Sequence, residues 1–158
     1  MPFQKITTFA AALAITVSGA AFAGSHLTQD QQRAMDARQA QMGLYGFNLA
    51  PLGAMAQNKM PYDAGVATTA ATNLAALAGL DQTRYWVEGT DSRVEGSRAK
   101  PEIFIDMEGY LAKKTALETT SAALAAVAGD GVDALRAAFG PVGQSCGACH
   151  EAYRVPRN

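Results

Sequence analysis

Over residues 29–57 the apolar and aromatic side chains Met35, Met42, Tyr45, Leu49, Leu52 and Ala56 recur at steps of three, four and seven. Such steps put them on one face of an α-helix. Nothing elsewhere alternates with period two over a strand-like length, so the chain is restricted to helix packed on helix. Thr28 with Gln31 three residues on forms a capping box for this first helix. Pro51 lies inside the span and is expected to kink it or divide it in two. Asn58-Lys59-Met60-Pro61 reads as a connection. A second, alanine-rich helix over residues 62–78 is expected to bury Val66, Leu74 and Leu77 and to stop at Gly79.

Residues 80–100 contain Gly89, Gly96 and several charges without a sustained period, and read as a long loop. Loops of that length in a compact domain are usually functional or mobile. Pro101 suits the first position of a third helix carrying Ile103, Phe104, Met107, Leu111, Leu117 and Leu124, interrupted by Gly129 and Gly131. A fourth helix holds Val132, Leu135 and Phe139, is disturbed at Gly140-Pro141, and resumes as far as about Arg154. With short connections at two of three joints, the expectation is an all-α antiparallel four-helix bundle. The 158 residues, 49 % hydrophobic, suffice for one core.

The N-terminus carries an export pattern: Lys5, then a short apolar stretch over residues 6–17, then Ala21-Phe22-Ala23 with small residues where a signal peptidase inspects. Cleavage after Ala23 is expected, so that residues 1–23 are a leader and residues 24–158 the folded domain. The apolar run falls short of the roughly 20 residues that span a bilayer, which argues against a membrane anchor. The chain has 13 basic and 14 acidic residues, and losing Lys5 with no acid leaves a net charge of −2. Charges of both signs are interspersed, so neither nucleic acid nor an anionic membrane surface is an expected partner.

The chemistry lies in Cys146-Gly147-Ala148-Cys149-His150. Two thiols separated by two residues each add to a vinyl group of haem, and the histidine that follows places a nitrogen under the iron. On a helix, positions 146, 149 and 150 share one face. Three rival readings use the same residues. A thioredoxin-like pair follows a strand, and no strand pattern is present. A zinc site needs about four ligands and would have to recruit His26. A structural disulfide between cysteines one helical turn apart makes a poor staple.

A haem motif on the last helix of a four-helix bundle, written CGACHEAYR at residues 146–154, resembles the class II cytochromes c, that is, the cytochromes c prime and their low-spin relatives. The likeness also takes in Arg38-Gln39 with Met42, Met60-Pro61-Tyr62-Asp63-Ala64, Lys100-Pro101-Glu102-Ile103 and Leu135-Arg136-Ala137-Ala138-Phe139-Gly140. It implies one covalent haem c on Cys146 and Cys149, His150 as an axial iron ligand, and a first helix covering the opposite haem face with Met42 over the iron. Met42 either ligates through sulfur, giving low-spin iron suited to electron transfer, or fills the pocket and leaves a site open to diatomic gases such as nitric oxide or carbon monoxide. The resemblance assigns Arg38, Gln39 and Lys100 to the haem propionates and implies redox partner proteins, a periplasmic location and a homodimer through the first two helices. The face from Arg38 to Met42 offers no His or Glu toward the iron, which disfavours an enzyme. Trp86 and Tyr85 either border the haem or pack the long loop, and packing is the reading preferred for both.

Overall fold

The computed structural model describes residues 27–156; the leader, its cleavage point after Ala23, and His26 lie outside the described residues. The first helix, α1, spans Gln29–Ala56. The capping box is present: Thr28 Oγ1 accepts from Gln31 N (3.2 Å) and Gln31 Oε1 from Thr28 N (2.8 Å). Pro51 does not divide the helix. The carbonyl that loses its donor belongs to Phe47, a residue 76 % exposed, so water is at hand for it.

Helix α2 spans Ala64–Ala78 and begins later than expected because Asp63, in extended backbone, caps it by accepting from Val66 N (2.9 Å). Its buried stripe is Ala67, Ala70, Ala71, Leu74 and Ala78. Val66, expected in the core, is exposed, and Leu77 is only partly buried. Here the small side chains face inward and let the neighbouring helices approach, so reading the pattern from the largest residues picks the wrong face.

Pro101 opens a separate 3₁₀ turn, Pro101–Phe104, and not the third helix. Asp106 then caps a fresh start by accepting from Gly109 N (3.1 Å), and α3 spans Met107–Val127. Ile103 is buried by the turn, whereas Leu111 is exposed. Helix α4, Val132–Tyr153, runs unbroken through Gly140-Pro141. Tyr62 fastens the joint before it, donating to Ala128 O (2.8 Å) and accepting from Gly131 N (3.0 Å).

The helices pack in a closed ring, each of α1 to α4 against the next and α4 back on α1, as an antiparallel four-helix bundle. The larger core joins Tyr45, Leu52, Met55, Leu74, Leu124, Leu135 and Val142. A second cluster joins Ile103, Tyr110 and Tyr153, with Trp86, Phe104 and Met107 against them. Cys146 packs on the first cluster and Cys149 on the second, so one turn of α4 sits where the two meet. Among the described residues the only β pairing is a single antiparallel bridge between Ala99 and Arg154.

Candidate haem-binding site

Cys146, Cys149 and His150 are each half-buried along one face of α4, and neither cysteine is in a disulfide. Burial pushes both thiols above their ordinary value; Lys113 and Arg154 act against it at Cys149. Burial, with Arg154 and Arg98 beside it, holds the His150 imidazole below its ordinary value, which favours the neutral form a metal requires. Among the described residues no three His, Cys, Asp or Glu side chains come together to hold a metal ion, and His26, which the zinc reading needs, lies outside them. The motif lies inside α4 and follows no strand, which counts against the thioredoxin reading, and the two thiols are not joined in a disulfide.

Around Met42 on α1, Arg38, Gln41 and Tyr45 are buried, the last in the same cluster that receives Cys146, whereas Gln39, Gly43, Leu44 and Gly46 are exposed. Met42 itself is 47 % exposed, against 3 % for Met35 one heptad earlier. Below it runs a buried polar chain. Gln41 Nε2 donates to Tyr45 Oη and to Leu77 O, each at 2.8 Å. Gln82 Nε2 donates to Tyr45 Oη (3.3 Å), and Gln82 Oε1 accepts from Tyr110 Oη. Trp86 packs edge-on against Tyr110, with centroids 4.9 Å apart, and against Phe104.

The three residues assigned to propionates meet on one segment, 85–100, and each has protein partners there or beside it. Arg38 is buried and commits both terminal nitrogens to the segment. Nη1 donates to Tyr85 O and Thr90 Oγ1 (both 2.9 Å), and Nη2 to Thr90 O (2.5 Å) and Ser97 Oγ (3.1 Å). The guanidinium also lies 5.1 Å from the Trp86 ring centre. Only its Nε–H direction is left for a carboxylate. Gln39 Nε2 donates to Gly96 O (3.0 Å) and Lys100 Nζ to Glu151 O (2.8 Å). Thr90, Ser97, Gln82 and Tyr110 were not singled out from the sequence. The first three lie in a stretch without period, and Tyr110 is an ordinary helical aromatic; no sequence signal marked them.

The donor set suits a haem of the c type: two free thiols one helical turn apart and a neutral imidazole on the same face, with apolar and aromatic walls on either side. The comparisons with known proteins agree. The family model described as Cytochrome C′ matches residues 33–154. A cytochrome c′ of Cereibacter sphaeroides is 37 % identical over 87 % of this chain and 93 % of its own length. Among solved structures, a cytochrome c′ from Rhodobacter Spheriodes superposes with a TM-score of 0.78 at 38 % identity, covering 80 % of this chain and 98 % of that one. The nitric oxide complex of a variant cytochrome c prime from Alcaligenes xylosoxidans does so with 0.71 at 32 % identity, covering 83 % and 100 %. A family match over most of the chain, the bundle, and a Cys-x-x-Cys-His turn set between its two apolar clusters identify the chain as a member of the cytochrome c′ family, the class II cytochromes c, which bind haem c.

Proposed function

We propose that the chain is a monohaem electron carrier acting outside the cytoplasm, with thioether links from Cys146 and Cys149 and with His150 and Met42 as axial ligands. The observation that carries this reading is Met42: a thioether half in solvent, with the buried Arg38 one turn before it and the buried Tyr45 one turn after it on α1. An apolar side chain left open at that place, beside the cluster that receives Cys146, is available to a group seated between α1 and α4. Bound haem supplies a one-electron iron couple, whose potential a thioether ligand raises. The chain supplies the rest. His150 gives a neutral nitrogen, the bundle holds α1 and α4 at a fixed spacing, and Tyr110 and Tyr153, with Trp86 against them, pack beside Cys149. Export rests on the leader pattern at residues 1–23, and no helix among the described residues is long and apolar enough to cross a membrane. Redox proteins outside the cytoplasm are the partners this implies.

A second reading keeps Met42 off the iron and gives the open site to nitric oxide or carbon monoxide. It is favoured by the solved nitric oxide complex of the Alcaligenes relative. A homodimer through α1 and α2 belongs to either reading, since Leu44, Phe47, Val66 and Leu80 are all exposed on those helices and the turn after them.

Absorption spectra of the purified holoprotein decide between the two. Ligation by Met42 gives a weak near-infrared sulfur-to-iron band when oxidised, sharp split visible bands when reduced, and slow binding of carbon monoxide. A high-spin spectrum with rapid gas binding overturns it in favour of the second reading.

A further inference from the structure

Segment 82–100 holds both sides of the site at once. Along α1, residues 31, 38 and 45 follow at steps of seven, and each grips it. Gln31 Nε2 donates to Glu88 O (2.9 Å), Arg38 makes its four bonds, and Tyr45 Oη accepts from Gln82 Nε2 (3.3 Å). At its other end the segment pairs with the chain just past His150. Lys100 N donates to Tyr153 O and Val155 N to Arg98 O, both at 2.9 Å. Arg98 Nε and Nη2 add bonds to Val155 O at 3.0 and 2.6 Å.

Both terminal nitrogens at the Arg38 node are fully engaged. Thr90 Oγ1 accepts from Arg38 and donates to Val87 O (2.6 Å), while Ser97 Oγ accepts from Arg38 and donates to Thr90 O (2.7 Å). Thr90 is fully buried. A guanidinium desolvated against neutral carbonyls and hydroxyls persists only while each of these bonds is made. The node is therefore a fixed point of the fold, and it lies one helical turn from Met42.

We propose that Arg38 and Thr90 are positioning residues: acting through segment 82–100, they fix the spacing between the α1 face that carries Met42 and the α4 end that carries His150, and so hold the Met42 sulfur at the iron. This deepens, and rests on, the axial-ligand reading above. A thioether is a weak ligand whose bond a small displacement of its helix removes.

The test uses the holoprotein with Thr90→Val, which keeps shape and deletes the hydroxyl, Thr90→Ser, which restores it, and Arg38→Lys, which keeps charge but loses the fork. Two quantities are read: amide hydrogen exchange at Lys100 and Val155, and the ferric spin state. Thr90→Val and Arg38→Lys should speed exchange at both amides on the order of tenfold and raise the high-spin fraction, and Thr90→Ser should recover both. Met42→Ala should change the spin state alone. Thr90→Val with wild-type exchange at Val155 overturns the linkage, and faster exchange with an unchanged low-spin spectrum overturns its role in ligation. A wild type already high spin refutes Met42 as ligand by itself, and exchange at Val155 in Thr90→Val then decides whether the segment links the two helices. Should Arg38→Lys fail to fold, the Thr90 pair carries the test.

Discussion

Met35 and Met42 stand one heptad apart on α1 and separate packing from ligation. Burying a whole Met side chain is worth about 1.5–3 kcal/mol. Met42 is 47 % exposed, so truncation to Ala forfeits about half of that, roughly 1 kcal/mol. Met35 is 3 % exposed, and its truncation also leaves a cavity, for a cost of about 2–5 kcal/mol. Chemical denaturation of the ferric holoproteins, read by circular dichroism, gives the two costs, and visible spectra of the same samples give the spin states. Met35→Ala should be markedly destabilised with a wild-type spectrum; Met42→Ala should lose less to packing, turn high spin and bind carbon monoxide faster. A cost at Met42 well above the packing figure reports a ligand bond and must come with the spectral change. The reasoning is refuted if Met35→Ala is the variant that turns high spin, or if Met42→Ala costs several kcal/mol with its spectrum intact.

Replacing Cys146 and Cys149 together by Ala should leave no haem on the chain in a denaturing gel, whereas the wild type should keep it and have the mass of residues 24–158 plus haem. Tyr62→Phe strips the partner from Ala128 O and Gly131 N, and should lower stability by about 1–2 kcal/mol in thermal unfolding without altering the haem spectrum. The Arg93 guanidinium beside Asp91 holds that carboxyl down to about 2, below its unfolded value. Its contribution is therefore complete above about pH 4 and fades as pH falls toward 2; Asp91→Asn should flatten this part of the profile of Tm against pH. Phe47→Asp puts a charge on the exposed α1–α2 face and should shift sedimentation from dimer to monomer while the spectrum stays the same; an unchanged mass, if dimeric, places the interface elsewhere.

The sequence by itself determined what local rules govern. A period of three and four set the helices, Thr28 and Gln31 set the start of α1, and five consecutive residues named the cofactor, because thioether attachment needs its thiols and imidazole at fixed local spacing. Tertiary structure decided whatever depends on neighbours distant in the chain. Pro51 and Pro141 interrupt neither helix, as proline removes a donor but leaves the freed carbonyl to be met by solvent where its residue is exposed. Val66 faces out because alanines make the close contacts of α2. The largest gap is segment 82–100. It has no period and little regular structure, and its order comes from bonds within its own turns together with bonds to residues more than thirty positions away, from Gln31, Arg38, Gln39 and Tyr45 on one side and Val155 on the other. Arg38 shows the reason most plainly: an arginine on a helix can face a carboxylate, water or a buried carbonyl, and only the fold determines which of these it meets.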